Sequence, residues 1–183
     1  MGERQWAQRK KTEAVNTELP KRKHPRLKNY DYSRDGYYHI VICTERNLPL
    51  LSTVGRGLDP AADINLTEIG KIAESQLLEL EKRYPSVKID RYAIMPTHIH
   101  AVIALTGEAA GSRPRPTLTD IVKTYKSMTT RLCNAKDGAP GRKIFQTSFY
   151  DEIIRNEKAY EEIGRYIYDN PLKWETERGN EER

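Results

Sequence analysis

Two of the four histidines in this chain stand two residues apart, as His98 and His100, inside the run Ile94-Met95-Pro96-Thr97-His98-Ile99-His100-Ala101-Val102-Ile103-Ala104-Leu105. The run is apolar or β-branched and carries no charge, which is the composition of an inner strand. Residues i and i+2 of a strand share a face, so both imidazoles project side by side while Ile99 turns into the core. A pair of neutral imidazoles is half of a divalent metal site, and imidazoles also bind phosphate. A solvated edge strand would carry such a pair equally well. The apolar surroundings favour ligation, because an isolated imidazole in a buried strand needs a polar partner.

A metal beside a tyrosine is a means of transferring a phosphoryl group. Tyrosine is a poor nucleophile at neutral pH, its hydroxyl ionising only near pH 10. A divalent ion offsets this by polarising the phosphate under attack. Of the eleven tyrosines, Tyr37 and Tyr38 fall on a strand, and Tyr125 and Tyr160 lie on apolar helix stripes. Tyr166 sits between the inward-facing Ile163 and Ile167 of the last helical segment, with Asn170 four residues on along the same face. Asn170 would add a neutral oxygen donor to the two imidazoles. Tyr168 points elsewhere on the helical wheel. A tyrosine that merely packs would show the same spacing, and on position alone that packing reading is the better one.

The elements needed to bring these residues together are legible in outline. Tyr37 to Thr44 reads as a strand, and 46–65 reads as a loop containing Gly55, Gly57, Asp59 and Pro60. Leu66 to Tyr84 is expected to be a helix with the stripe Ile69, Ile72, Ala73, Leu77 and Leu80, ended by Pro85. Val87 to Ile94 is a second strand, and a turn at Met95-Pro96-Thr97 leads into the histidine strand. After a Gly/Pro loop over 106–116, Thr117 and Asp120 form a capping box. It opens a helix to about Ala135, with the stripe Leu118, Ile121, Val122, Tyr125, Met128 and Leu132. A strand-like run follows from Ile144 to Ile154, then a helix from Asn156 that stops at Pro171. This order predicts an α+β fold: a ferredoxin-like (RRM-like) β-α-β-β-α-β antiparallel sheet with helices on one face, plus a C-terminal helix carrying Tyr166. The histidine pair would lie on an inner strand, leaving the other sheet face for a site.

Length and charge bound the rest. A chain of 183 residues forms one core. Its net charge of +5 is concentrated in a basic arm, residues 1–29, expected to be flexible and suited to nucleic acid. Residues 175–183 form a charged tail. Cys43 and Cys133 are isolated, so neither a disulfide framework nor a zinc knuckle is indicated. The charged opening lacks the apolar stretch of a secretory leader, and no apolar run could cross a bilayer, so a soluble cytoplasmic protein is expected.

Three segments together resemble a known group: Arg26-Leu27-Lys28-Asn29-Tyr30-Asp31-Tyr32-Ser33, then Met95-Pro96-Thr97-His98-Ile99-His100, then Tyr125-Lys126-Ser127-Met128-Thr129-Thr130-Arg131. They resemble the HUH-type single-tyrosine transposases, and more narrowly the IS200-like and REP-associated tyrosine transposases of bacteria. The resemblance extends through Phe145-Gln146, Phe149-Tyr150-Asp151-Glu152-Ile153-Ile154-Arg155-Asn156-Glu157 and Tyr166-Ile167-Tyr168-Asp169-Asn170-Pro171-Leu172-Lys173-Trp174, covering residues 26–174. It implies that a catalytic domain spans 30–174, that His98 and His100 are the metal pair, that Asn170 is the third ligand and that Tyr166 is the nucleophile.

The implied activity is a metal-dependent single-stranded DNA endonuclease and strand transferase. It uses Mg²⁺ or Mn²⁺, cuts at hairpin-flanked ends and passes through a 5′-phosphotyrosine linkage. The resemblance leaves monomer and homodimer both open. Arg26, Lys28, Lys123, Lys126 and Arg131 are the expected DNA contacts. The chain departs from the group at Thr97, where Asn is frequent, at Phe145, where Trp is frequent, and at Glu152, where His is frequent. A non-catalytic hairpin DNA- or RNA-binding module on the same fold is the alternative. It differs in predicting salt-sensitive binding without cleavage and without metal dependence.

Overall fold

Alternation at two-residue spacing sets the first strand, β1 (Gly36–Cys43): Tyr38, Ile40 and Ile42 are buried on one face, while Tyr37, His39 and Val41 take the other. In the computed structural model the described residues are 27, 29–55, 64–107 and 115–181, and beyond Pro171 the side chain of Trp174 alone is described. The expected arm over 1–29 lies almost wholly outside them. After a short 3₁₀ turn (Glu45–Asn47) come β2 (Ser52–Val54), β3 (Ile64–Leu66), α1 (Glu68–Arg83), β4 (Val87–Ile94), β5 (His98–Leu105), α2 (Leu118–Asp137), β6 (Tyr150–Ile154) and α3 (Glu157–Glu181).

The main sheet has the order β4-β5-β1-β6 with every neighbouring pair antiparallel. With β1-α1-β4 and β5-α2-β6 as its two crossovers, this is the expected ferredoxin-like arrangement, and β5 is an inner strand. Helices α1 and α2 cover one face, where Tyr38, Ile40, Ile42, Ile99, Ile103, Leu77, Leu118, Ile121 and Tyr125 form the main core. On the opposite face a smaller cluster of Ala93, Val102, Ile154 and Ile167 receives α3, with Ala159, Tyr160 and Ile163 packed against it. Among the described residues no helix is long and apolar enough to cross a membrane.

Four expectations need correction. The loop over 46–65 contains a hairpin: β2 pairs with β3 from Ser52↔Leu66 to Val54↔Ile64, a pairing too short to show periodicity. The α2 seam runs Ile121, Tyr125, Thr129 and Cys133, leaving Met128 at its margin and Leu132 exposed. A ridge of i+4 steps explains this, since it is the row that packs into a neighbouring helix. Only Tyr150–Ile154 of the run from Ile144 is strand, with a single bridge at Thr44↔Phe145. The intervening carbonyls of Gln146 and Thr147 accept instead from Lys126 Nζ. Finally, α3 continues through Pro171 to Glu181, so the acidic segment expected as a tail begins within the helix. Proline forfeits one helical hydrogen bond, and here its ring is buried in a cleft wall with Ile64, Leu66, Ile94 and Ile167.

The capping box at Thr117 and Asp120 forms as expected, and Gly138 closes α2 in the left-handed conformation at φ 59°. At the start of α1, Thr67 accepts from the Gly70 N–H at 3.0 Å and donates to the Leu50 carbonyl at 2.6 Å. Gly70 itself is held against the hairpin: a Cβ there would sit 1.9 Å from the Leu51 carbonyl oxygen, a backbone atom. Gly70→Ala is therefore expected to destabilise the fold by about 1–3 kcal/mol through overpacking, despite alanine's better helix propensity. Urea denaturation of the two proteins checks this, and a more stable variant would refute the close approach.

Candidate active site

The turn Met95-Pro96-Thr97 delivers β5 so that Ile99 and Ala101 enter the core and His98 and His100 face α3. His100 is 4% exposed and His98 is half-buried. Each imidazole is held at its Nδ1. Thr97 Oγ1 lies 3.0 Å from His98 Nδ1. His39 Nε2 lies 3.1 Å from His100 Nδ1. Both Nε2 atoms are thereby directed at α3, where the Asn170 amide meets them: its Nδ2 donates to His100 Nε2 at 3.1 Å, and the same amide hydrogen-bonds His98.

Tyr166, one helical turn before Asn170, sets its ring edge-on to His100 with centroids 5.3 Å apart and planes at 89°. Tyr166 is 43% exposed, so its ring spans the boundary between the imidazoles and solvent. Tyr168 is more exposed and lies on the other side of the helix, along a cleft with Arg91 and Glu74. Trp174 closes the far end, its ring 5.8 Å from His98, and its indole nitrogen is buried without a hydrogen-bond partner.

Burial dominates the electrostatics. It pushes the His98 imidazole below its ordinary range, partly opposed by the hydrogen bond to Asn170. It pushes His39 down as well, with the Glu152 carboxylate pulling back. His100 falls to about 3, through burial and then the repulsion a proton there would feel from His98 and His39. The three rings are consequently neutral at pH 7, the form that ligates metals.

The donor set suits a divalent ion. Adjacent ligands of an octahedral ion bound at 2.0–2.1 Å are about 3 Å apart, close to the 3.1 Å between His100 Nε2 and the Asn170 amide. Turning that amide over exchanges nitrogen for oxygen at the same place. Among the described residues no group of three or more His, Cys, Asp or Glu could hold a metal. Two imidazoles and an amide would leave positions for water and phosphate oxygens, as magnesium sites commonly do.

His98, His100, Tyr166 and Asn170, expected as one site, thus meet. The expected DNA contacts do not join them. Lys123, Lys126 and Arg131 are on α2, in the layer across the sheet, and Lys126 is tied to the Gln146 and Thr147 carbonyls. Arg26 and Lys28 lie outside the described residues. Glu152, one of the departures, faces His39 across the β1–β6 pair. Two residues escaped sequence reasoning. His39 was visible as the polar member of an alternating strand, but its pairing partner was not. Trp174 reaches His98 because α3 continues past Pro171.

No family model matches the chain. An uncharacterised protein of Haemophilus influenzae is 27% identical over 179 residues, covering 90% of this chain and 96% of that protein. Among solved structures, a REP-associated tyrosine transposase bound to a REP hairpin superposes with a TM-score of 0.57 at 20% identity, over 81% of this chain and 73% of that one. The chain has the fold of that tyrosine transposase. On this fold, the convergent side chains occupy the face of the sheet that α1 and α2 leave uncovered.

A depressed histidine pKa has a defined consequence for stability. The unfolded chain binds a proton near pH 6.5 that folded His100 refuses down to about 3, so stability is lost as pH falls through this window. In chelator, the wild type is expected to lose more stability between pH 7 and pH 5 than His100→Gln. Equal losses in denaturant titrations would show that His100 is not held neutral by the fold.

Proposed function

We propose that this protein is a metal-dependent single-stranded DNA endonuclease and strand transferase, a tyrosine transposase that acts at hairpin-flanked DNA ends. The observation that carries this reading is the meeting of Tyr166 and Asn170, one turn apart on α3, with His100 on β5: 5.3 Å between rings in one case and 3.1 Å between polar atoms in the other. The fold shared with a transposase bound to a REP hairpin supports the substrate class.

In this reading His98, His100 and Asn170 hold Mg²⁺ or Mn²⁺, which when bound supplies charge to polarise the scissile phosphate. The Tyr166 hydroxyl loses its proton and its Oη attacks phosphorus. The P–O3′ bond breaks, the departing 3′ oxygen takes a proton, and the 5′ phosphate remains on the tyrosine. One phosphoester replaces another, so no external energy source is needed, and a 3′ hydroxyl can later attack the linkage to rejoin strands. The open sheet face also carries exposed Tyr150, its ring 6.3 Å from that of His39, which offers a stacking surface for unpaired bases.

Incubation of the full chain with labelled single strands bearing hairpins from the flanks of its own gene tests this. A Mn²⁺-dependent covalent protein–DNA band is expected on denaturing gels, lost in EDTA and in Tyr166→Phe and retained in Tyr168→Phe. A band that survives Tyr166→Phe would move the nucleophile elsewhere. DNA retarded on native gels with no covalent band would favour a non-catalytic hairpin-binding module.

A further inference from the structure

The contact between His39 and His100 decides where one proton resides. His39 is 6% exposed on β1, and its ring stacks on His100 at 5.4 Å and 16°. A neutral imidazole carries a single proton, so of its two nitrogens one donates and the other accepts. The Asn170 amide has one atom that donates, its nitrogen, and one that accepts, its oxygen. Its nitrogen faces His100 Nε2 at 3.1 Å as a donor. That nitrogen must present a lone pair, the proton of His100 must be on Nδ1, and His39 Nε2 must accept it. The reverse assignment would set two N–H groups against each other in a buried site, at the cost of an unsatisfied donor.

We propose that His39 is a positioning residue: by accepting from His100 Nδ1–H, it locks His100 in the tautomer whose Nε2 lone pair faces Asn170 and Tyr166. Outer partners of this kind orient a metal-binding histidine and fix which nitrogen is free. Glu152, opposite His39 on β6, contributes the negative charge that acts on this ring. The consequence for metal binding rests on the proposed function, whereas the tautomer does not.

The test uses the full chain labelled with ¹⁵N-histidine, metal-free, and reads protonation at each ring nitrogen by long-range ¹H–¹⁵N correlation. His100 is expected to be protonated at Nδ1 and bare at Nε2. His39→Phe removes the acceptor and is expected to bring in the Nε2–H form and weaken Mn²⁺ binding by about 10–100-fold in calorimetry without DNA. His39→Gln, whose side-chain oxygen can accept, is expected to keep the wild-type tautomer and most of the affinity. Wild-type His100 protonated at Nε2, or a folded His39→Phe that binds Mn²⁺ as the wild type does, would overturn the proposal. If His39→Phe does not fold, the wild-type spectrum and His39→Gln decide. The expected tautomer in a protein that binds no Mn²⁺ would support the lock and overturn the metal reading instead.

Discussion

The two-residue repeat of a single inner strand is the constraint on which the rest depends. β5 pairs on both sides, with β4 and with β1, so its backbone groups are consumed and its side chains must divide between the faces. Ile99, Ala101 and Ile103 go to the layer beneath α1 and α2, and His98, His100 and Val102 go to the other. A slip of one residue would bury the imidazoles among isoleucines and expose the isoleucines to α3. Stability of the main core and placement of the polar site are therefore the same fact.

The third element of the site, α3, is fastened by a separate device. Apolar residues Ile163 and Ile167 anchor it on Ala93, Val102 and Ile154. Gly164 opens a notch for Arg91: a Cβ there would lie 1.9 Å from Arg91 Nη1 and 3.0 Å from its Cζ. The guanidinium caps the Tyr160 ring at 4.4 Å, and the Tyr160 hydroxyl donates to Asp90 at 2.7 Å. These contacts bring helix and β4 together at the turn just before Tyr166. The tyrosine stays part-exposed while Asn170, one turn later, is buried against the imidazoles.

The resulting site is polar yet uncharged. Three rings and an amide satisfy one another, and burial keeps protons off the imidazoles. Such a network is costly if one member is missing, because a buried polar group left without its partner keeps its desolvation penalty. The basic side chains of α2 stand across the sheet from it.

Much of this was legible in the residues themselves. The apolar run around His98 and His100, the capping box at Thr117 and the i, i+4 pair Tyr166 and Asn170 are local patterns whose periods fix their direction, and the element order implies the ferredoxin-like sheet. The hairpin of β2 and β3 was not legible, because three-residue strands are held by partners rather than by their own periodicity. The passage of α3 through Pro171 was not either: local propensity says stop, and burial of the proline ring in the cleft wall overrides it. Register decided the remainder. His39 is sixty-one residues from His100, and only the β1–β5 pairing brings the two nitrogens to 3.1 Å. Local sequence determined which side chains could do chemistry and the face each would take. Long-range pairing and packing decided which of them touch, because a contact between distant segments depends on both partners and neither segment encodes the other.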